Sequence, residues 1–584
     1  MTRPSRTPRS GLCLWMASAI VLLTACGGDD DTPAAAPKAP DVAMTQNGPV
    51  QAIDRLGVRS YFAIPYAAPP TGNARWTPPA PPAHWTTALA NTKSAAPCLQ
   101  TSASPFRLSG DSEDCLYLDV HAPTGDGPLP VMVWIHGGAF NTGGVVTYQD
   151  PSALVTKGLI VVPIAYRLGA MGFLGHPTLE ATDTSVGNYG VMDQQAALAW
   201  VRDNIAVFGG DPNNVTIFGE SAGGFSVLTH LASPGSKGLF HKAIVQSGAY
   251  GVNGQLSKAT LEGNSTTVVN NALTAAAAAS APGVNCGTGS VTAACLRSLP
   301  DAVVRTQLAQ AFNASMASPT PSVDGKVLPK TIKQIFVDGT NNKVPVLNGS
   351  NENEYTLFIA IGELGRRAAA VPPNFDPTNK SFLLSAANYP ATAAGLAFGT
   401  GVSTTQLTTV DYPLANFSDA ALQPPLAASS LGTDVIFACS GYNVSKRVQA
   451  QGSPIYAYEF RDQSAIPSLG RDASNNYYLS MQQGAAHSYE IQYLFNFNDG
   501  RPSKNAEQAA LAAAMATYWT NFARSGNPNG AGVTTWPAFN EATGAIQSLD
   551  VASGGGISST SLTLAQFAAN HKCGTGMTWS VLTF

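Results

Sequence analysis

Short runs of apolar residues recur along the chain and have the length of strands that are buried on both faces. They lie at 131–135, 159–164, 215–218, 243–245, 344–347 and 455–458. Apolar residues repeat at helical spacing over 191–204, and an Ala-rich stretch over 506–524 stops before Gly526. Strands that alternate with helices predict an α/β fold, with a central and mostly parallel sheet flanked by helices.

Two long segments lack strand signals. Residues from about 255 to 340 and from about 362 to 450 are rich in Ala, Ser and Thr. We interpret them as helical and loop insertions that cover the functional site. No linker divides residues 45–584, so the pattern predicts one large domain there.

The first 44 residues are of a different kind. Three arginines precede the short apolar run 12–23, which predicts an export signal over 1–25 rather than a membrane-spanning helix. The run ends in Leu-Thr-Ala-Cys26, which looks like a bacterial lipobox and predicts lipidation of Cys26; the alternative is an ordinary signal peptide. Residues 26–44 are rich in Asp, Pro and Ala and predict a tether. We therefore expect an exported lipoprotein of the periplasm or outer membrane, or otherwise a secreted protein, with Cys26 as its sole membrane attachment.

Charge and cysteine content narrow the class of protein. Charged residues make up 12% of the 584 residues and the net charge is −4, without basic blocks, which argues against nucleic-acid binding. Two of the eight cysteines lie in the leader, and the other six show no C-x-x-C spacing, so we expect no metal site. An even number in an exported chain predicts three disulfides among fifteen possible pairings, of which the nearest-neighbour pairs 98–115 and 286–295 are preferred.

A G-x-S-x-G motif centred on Ser221 follows the predicted strand 215–218 and precedes an amphipathic stretch at 225–231. A serine hydroxyl is a poor nucleophile until a base removes its proton. A sharp strand-to-helix turn exposes the hydroxyl, and glycines two residues before and after avoid clashes between the backbones. The context predicts that Ser221 is a nucleophile.

A second glycine motif, His136-Gly137-Gly138-Ala139-Phe140, follows the strand 131–135 directly. Loops of this type offer backbone N–H groups to the oxyanion that forms during acyl transfer, and the residue after the nucleophile offers another. We expect the N–H groups of Gly138, Ala139 and Ala222 to form this oxyanion hole. The alternative is a tight turn at the end of a strand.

These motifs and their order resemble the type-B carboxylesterase/lipase family, which includes the cholinesterases. Further matching segments are 62–67 with 75–76, 113–120, 166–167, 187–194, 200–205, 208–212 and 243–248. The resemblance is dense from about 45 to 250 and patchy to about 540. It implies an α/β-hydrolase fold, a Ser-His-Glu triad, and no cofactor or metal.

The resemblance places the acid of the triad in the segment after strand 344–347. Aligning Gly349 and Phe358 with the family pattern selects Glu354, although Asn353 and Tyr355 replace the usual Asp and Gly. Glu352 is the alternative acid, more typical of a solvated loop.

The base is expected at His487, where the sequence matches the family pattern H-G-x-E with Ser488 in place of Gly. His136 is expected to hold the oxyanion loop, His571 lies too near the C-terminus to serve, and the remaining histidines are interpreted as surface or structural. Gly137, Glu220 and Ser247 resemble residues that surround the triad in the family. The resemblance also supports the disulfides Cys98–Cys115 and Cys286–Cys295, which leaves Cys439 with Cys573.

The functional hypothesis is a serine hydrolase that cleaves carboxylic esters, of small molecules or polymers, through an acyl-enzyme intermediate. One alternative keeps this chemistry and changes the substrate, to lipids, polyesters or aromatic esters. The other is a non-catalytic binding protein on the same fold. The sequence does not predict the oligomeric state.

Overall fold

The structure, a computed structural model, describes residues 40–573 apart from 56, 101–105, 126, 181–185, 285, 288–290, 316–318, 399, 473–475, 543, 545 and 561. The predicted export signal, the predicted lipidation site at Cys26 and most of the predicted tether lie outside these residues. No helix within the described residues has the length and apolar character needed to cross a membrane.

A large mixed sheet forms the centre of the fold. Its strands are β3 (Ile53–Arg55), β4 (Val58–Pro65), β5 (Tyr117–Pro123), β6 (Leu129–Ile135), β7 (Ile160–Ile164), β8 (Gly210–Glu220), β9 (Lys242–Gln246), β10 (Val346–Asn351), β11 (Ile455–Phe460) and β12 (Gln547–Leu549). Two further strands, β1 (Val42–Met44) and β2 (Pro49–Gln51), form a separate hairpin. Ten of these described strands pair in the order β12-β11-β10-β9-β8-β6-β7-β5-β4-β3. The α/β-hydrolase fold expected from the sequence is confirmed.

Strands β6 to β12 run parallel to one another, whereas β3, β4 and β5 form an antiparallel edge. Every apolar run predicted as a strand lies within or overlaps a strand of the parallel part. The antiparallel edge was not predicted, because β4 and β5 contain Arg59, Asp119 and His121 and do not form continuous apolar runs. Inside the fold Asp119 accepts hydrogen bonds from the Ser94 hydroxyl and the Ala63 N–H.

Helices cover both faces of the sheet. They are α1 (Ser152–Val155), α2 (Gly169–Phe173), α3 (Pro177–Glu180), α4 (Tyr189–Asn204), α5 (Ala222–Ala232), α6 (Lys258–Ala278), α7 (Ala293–Arg297), α8 (Asp301–Val303), α9 (Ala309–Ser315), α10 (Ile332–Asp338), α11 (Thr356–Ala369), α12 (Tyr389–Leu396), α13 (Thr404–Gln406), α14 (Gln423–Gly432), α15 (Cys439–Ala450), α16 (Ala506–Ser525) and α17 (Leu564–Asn570). The predicted helix 506–524 is α16. It begins with a capping box between Asn505 and Gln508 and ends at Gly526, whose φ is 76°.

Alternate side chains of β6 enter different cores. Val131, Val133 and Ile135 pack into one hydrophobic cluster, whereas Met132 and Trp134 pack into the cluster on the opposite face. Because side chains alternate across a strand, two buried faces require an apolar residue at every position. This explains the unbroken apolar runs in the sequence.

The two predicted insertions are largely helical. Helices α6 to α10 fall within 258–338, and α11 to α15 fall within 356–450. The second insertion has its own small core, built around Tyr389, Leu407 and Leu431.

The ordered fold begins before residue 45. Strand β1 at Val42–Met44 pairs antiparallel with β2, and the side chain of Ala43 is fully buried. The tether boundary expected at residue 44 is therefore a few residues too late, because Ala-rich composition does not distinguish a tether from a short edge strand.

Candidate active site

Ser221 occupies the sharp turn between β8 and α5. Its backbone has φ 57° and ψ −121°, a strained conformation, and its N–H donates to the carbonyl of Gln246 at 2.9 Å. A Cβ on Gly219 would lie 2.6 Å from the carbonyl oxygen of Ile135, and one on Gly223 would overlap that same oxygen. Because β6 lies so close, only glycine fits at positions 219 and 223 of the motif.

The loop after β6 lies directly against this turn. A Cβ on Gly137 would lie 2.8 Å from the carbonyl oxygen of Glu220 and 3.1 Å from the Cβ of Ser221. Gly138 and Ala139 follow with φ of 105° and 53°. The positive φ values turn this backbone over the serine, and a side chain at Gly137 would not fit there.

His136 supports the loop from behind. Its ring stacks on Tyr166 at 4.5 Å, the Tyr166 hydroxyl donates to the His136 carbonyl, and Nδ1 lies 2.9 Å from the carbonyl oxygen of Gly137. Burial lowers the pKa of His136 to about 4, so the ring is neutral at working pH. The loop-holding role expected of His136 agrees with these contacts.

Glu354 is fully buried and lies beside His487. Its Oε2 is 2.6 Å from Nδ1 of His487, and its Oε1 accepts hydrogen bonds from the Ser247 hydroxyl at 2.5 Å and the Asn351 N–H at 2.8 Å. These donors fix the carboxylate in one orientation. Ser247, singled out in the sequence, therefore contacts Glu354.

Glu352, the alternative acid, faces elsewhere. Its carboxylate pairs with the Arg461 guanidinium at 2.7 Å and accepts from the Gln463 amide at 2.6 Å. Both contacts lie at the partly exposed edge of the sheet, which fits the interpretation of Glu352 as a loop carboxylate.

His487 is 4% exposed and surrounded by carboxylates. Burial by itself lowers its pKa, but Glu220 and Glu354 outweigh this effect and raise the pKa to about 9. Its Nε2 is 3.1 Å from Oε1 of Glu220, and neither atom has a well-aligned hydrogen-bond partner among the described residues. Burial also raises the pKa of Glu220 well above its usual value, so the two groups titrate as a coupled pair.

A buried polar network around Glu490 connects to Glu354 through Asn351. Glu490 accepts from the side-chain amides of Asn351 at 2.7 Å and Gln246 at 3.1 Å, and the Trp519 indole donates to Gln246 at 3.1 Å. Burial raises the pKa of Glu490 to about 7. Glu490 is the acidic residue of the H-G-x-E pattern in the sequence, which predicted no role for it.

Aromatic side chains pack against and beside His487. The ring of Phe437 lies 4.8 Å and that of Phe358 lies 5.3 Å from the imidazole, and these two rings stack at 5.9 Å. Tyr250 packs edge-on against Phe437 at 5.5 Å. Phe437 and Phe358 lie in or beside the second insertion, where the sequence predicted covering segments without naming side chains.

His571 forms a second buried histidine–carboxylate cluster, apart from Ser221. Its Nδ1 is 2.8 Å from Asp434 and its Nε2 is 2.5 Å from Glu459, while the Tyr412 hydroxyl donates to Asp434 at 2.7 Å. Burial opposes the charge on His571, but the two carboxylates raise its pKa to about 10. The cluster joins the end of α17 to β11 and to the second insertion.

Within the described residues there are three disulfides, Cys98–Cys115, Cys286–Cys295 and Cys439–Cys573, the same pairs that were named from the sequence. The third joins Cys573, which lies three residues beyond the end of α17, to Cys439 at the start of α15, and it lies beside His571. It spans a sequence separation of 134 residues, the longest of the three.

Comparison with known proteins gives consistent results. The model of the carboxylesterase family matches residues 40–564. Liver carboxylesterase 1 of Oryctolagus cuniculus is 32% identical over 91% of this chain and 93% of its own. Fumonisin B1 esterase of Sphingopyxis macrogoltabida is 32% identical over 85% of this chain and 84% of its own. The solved structure of a thermophilic PNB esterase superposes with a TM-score of 0.69 at 27% identity, covering 89% of this chain and 97% of that one.

Proposed function

Because this chain belongs to the carboxylesterase family and is a carboxylic ester hydrolase, we propose that Ser221, His487 and Glu354 form its catalytic triad. The observation that carries the proposal is the 2.6 Å contact between Nδ1 of His487 and Glu354. It leaves Nε2 as the basic atom of the ring, which is the atom a serine must reach.

The proposed reaction has two halves. His487 takes the proton of Ser221 as the serine oxygen attacks the ester carbonyl, and then passes that proton to the departing alcohol. Water, activated by the same imidazole, cleaves the acyl-enzyme and releases the acid. Glu354 holds the ring in the required tautomer and stabilises its cation.

The oxyanion hole is assigned to the N–H groups of Gly138, Ala139 and Ala222. Support comes from the packing of Gly137 against Ser221 and from the position of Ala222 at the first turn of α5. Backbone donors held rigidly in this way stabilise the tetrahedral intermediate, and losing one donor typically costs about 2.7–4 kcal/mol.

Glu220 and Ser247 are assigned supporting roles. Glu220 lies 3.1 Å from Nε2 of His487 and stabilises the imidazolium that forms during attack, whereas Ser247 anchors Glu354. Gly137 provides the space that brings the loop onto the nucleophile.

We assign the substrate class as esters with an apolar or aromatic group. Phe358, Phe437 and Tyr250 present ring surfaces beside the reactive groups, and such surfaces bind flat apolar groups. Comparing p-nitrophenyl acetate, butyrate, decanoate and benzoate tests this assignment. A preference for acetate over all larger acyl groups would contradict it.

A lipid or polyester substrate is the second candidate, and one observation favours it. Val371 and Phe398 in the second insertion are 98% and 91% exposed, and Val410 is 61% exposed. Exposed apolar side chains of this size suit an ester surface rather than a dissolved molecule. A rate that rises sharply above the solubility limit of a triglyceride or on polyester particles would support this candidate.

The decisive test of the triad is Ser221→Ala. We expect the purified variant to lose hydrolysis of p-nitrophenyl butyrate and covalent labelling by a fluorophosphonate probe, with its melting temperature retained. Full activity in this variant would refute the assignment.

Export with lipidation of Cys26 remains a proposal. Three disulfides support it, because disulfides persist in oxidising compartments outside the cytosol. The apolar run 12–23 and the Leu-Thr-Ala-Cys26 sequence are its other support.

A further inference from the structure

His487 lies in a turn rather than in a helix or a strand. The turn follows β11, which ends at Phe460, and precedes a 3-10 helix that begins at Ile491. Residues 484–490, which we call the histidine segment, therefore depend for their position on hydrogen bonds to other parts of the fold. Several of these bonds come from the end of β10, close to Glu354.

The side chain of Asn351 binds the histidine segment on both sides of His487. Its amide nitrogen donates to the carbonyl of Ala486 at 2.6 Å and to the carboxylate of Glu490 at 2.7 Å. An amide nitrogen carries two N–H groups, so it can serve both acceptors at once. Asn351 is fully buried, and both bonds form away from solvent. The residue before His487 and the residue three positions after it are thus tied to a single side chain.

The main chain of Asn351 binds the acid. Its N–H donates to Oε1 of Glu354 at 2.8 Å, and Oε2 of the same carboxylate lies 2.6 Å from Nδ1 of His487. Asn351 is the last residue of β10 and pairs in register with Phe460 of β11. One residue that is anchored in the sheet therefore contacts the acid directly and holds the segment that carries the base.

We propose that Asn351 is a positioning residue, which holds the imidazole of His487 against Glu354 by tying the histidine segment to the end of β10. The inference rests on the proposed triad, because it assigns Asn351 a task toward two of its members. A base must lie within hydrogen-bond reach of the proton that it takes, and a displacement of about 1 Å can lower a rate about 100-fold. Loss of the two amide bonds should let the histidine segment shift, although no group of the triad is removed.

Asn348 provides a matched control on the same strand. It is buried, and its amide nitrogen donates to the carbonyl of Gly441 at 2.8 Å and to the hydroxyl of Ser445 at 2.9 Å, both in α15. The amide oxygens of Asn348 and Asn351 both lack a hydrogen-bond partner among the described residues. Side chains three positions apart on a strand point to opposite faces of the sheet. The two amides thus make the same number of buried hydrogen bonds, but those of Asn348 reach a helix on the other face.

The test compares Asn351→Ala with Asn348→Ala. We expect Asn351→Ala to lower kcat and the second-order rate constant of fluorophosphonate labelling about 10- to 100-fold, with KM near that of the parent. Asn348→Ala should leave both rates near those of the parent. Both variants should have a lower melting temperature, because each removes two buried hydrogen bonds. Rates are therefore measured at a temperature at which circular dichroism shows both variants to be folded.

A double-mutant cycle separates positioning from a general loss of stability. If Asn351 acts through Glu354 and His487, then adding Asn351→Ala to Glu354→Gln should lower kcat by a smaller factor than Asn351→Ala does in the parent. The reason is that the effects of residues which act through one group are not additive. A contribution to stability alone would leave kcat per folded molecule unchanged in both backgrounds.

Three results would overturn the proposal: a kcat of Asn351→Ala equal to that of Asn348→Ala, a change confined to KM, or equal factors of loss in the parent and in Glu354→Gln. Should Asn351→Ala fail to fold, Asn351→Ser is measured against the same criteria, with Asn348→Ser as its control. Ser221→Ala is assayed in parallel, and full activity in that variant would refute the triad itself. An inactive Ser221→Ala beside a fully active Asn351→Ala would refute only the role of Asn351.

Discussion

His487 and Glu354 are joined by two hydrogen bonds, one from the side chain and one from the main chain. Nδ1 of His487 lies 2.6 Å from the Glu354 carboxylate, and the N–H of His487 donates to the Glu354 carbonyl at 3.2 Å. The second contact holds the two backbones together, so the imidazole and the carboxylate stay within reach of each other. This relationship makes the acid of the proposed triad directly testable.

Glu354→Gln should lower kcat about 10³- to 10⁴-fold, because an amide favours the wrong imidazole tautomer and does not stabilise the cation. Steady-state hydrolysis of p-nitrophenyl butyrate measures the effect. Glu352→Gln is the matched control, since Glu352 contacts Arg461 and Gln463 instead. A larger loss in the control than in Glu354→Gln would assign the acid to Glu352.

The pH dependence of kcat/KM should report the carboxylates around His487. The base must be neutral, and its pKa is raised to about 9 by Glu220 and Glu354, so kcat/KM should rise with pH toward that value. Glu220→Gln removes one of these charges and should move the rising limb to lower pH. Glu352→Gln, which also removes a carboxylate, should leave the limb in place. If the rising limb of the kcat/KM profile does not move in Glu220→Gln, Glu220 carries no charge beside the imidazole of His487.

Ser488→Gly should stabilise the fold. Ser488 has φ 69°, a conformation that costs a residue with a Cβ roughly 1–2 kcal/mol, whereas glycine adopts it freely. Glycine also adds entropy to the unfolded chain, so the expected net gain is about 1 kcal/mol in urea unfolding. Ser488→Ala removes the same hydroxyl and keeps the Cβ, and a gain of equal size there would show that backbone strain is not the cause.

His571→Gln should destabilise the fold in a pH-dependent way. The pKa of His571 is raised to about 10, above the value of about 6.5 in an unfolded chain. The contribution of its ion pairs is therefore complete below about pH 6.5 and is lost as pH rises through about 10. Removing the cation leaves Asp434 and Glu459 buried together, a change that typically costs about 3–5 kcal/mol. Urea unfolding at pH 6.5 and pH 10 should show the larger loss at pH 6.5. Equal losses would mean that His571 is neutral in the fold.

Cys26→Ser should release the protein from membranes, because a lipid chain requires the thiol. Fractionation of expressing cells and metabolic labelling with an alkyne fatty acid measure attachment. Cys13→Ser is the matched control, as Cys13 lies within the apolar run and is expected to be removed with the leader. Membrane attachment that persists in Cys26→Ser would exclude the lipobox interpretation.

The sequence predicted those parts of the site that depend on a few adjacent residues. Ser221 could be located because the close approach of Ile135 allows only glycine at 219 and 223, which leaves a local signature. Tyr250, Phe358 and Phe437 leave none, since each comes from a different segment and they meet only through the fold. The same reason applies to His571, whose two carboxylates lie more than a hundred residues away along the chain.

Under the proposed triad, the parallel strands hold the catalytic residues, and we expect the segments between them to select the substrate. Ser221, Ser247 and Glu354 follow the neighbouring strands β8, β9 and β10, and His487 follows β11, so hydrogen bonds between strands fix their spacing whatever the length of the chain between them. The intervening segments, and above all residues 362–450, are then free to diverge or to be exchanged. If that segment is replaced with the segment of a relative, we expect the range of accepted esters to change while the rate of hydrolysis of the smallest ester is retained. The substrate range could then be engineered without changing the residues of the proposed triad.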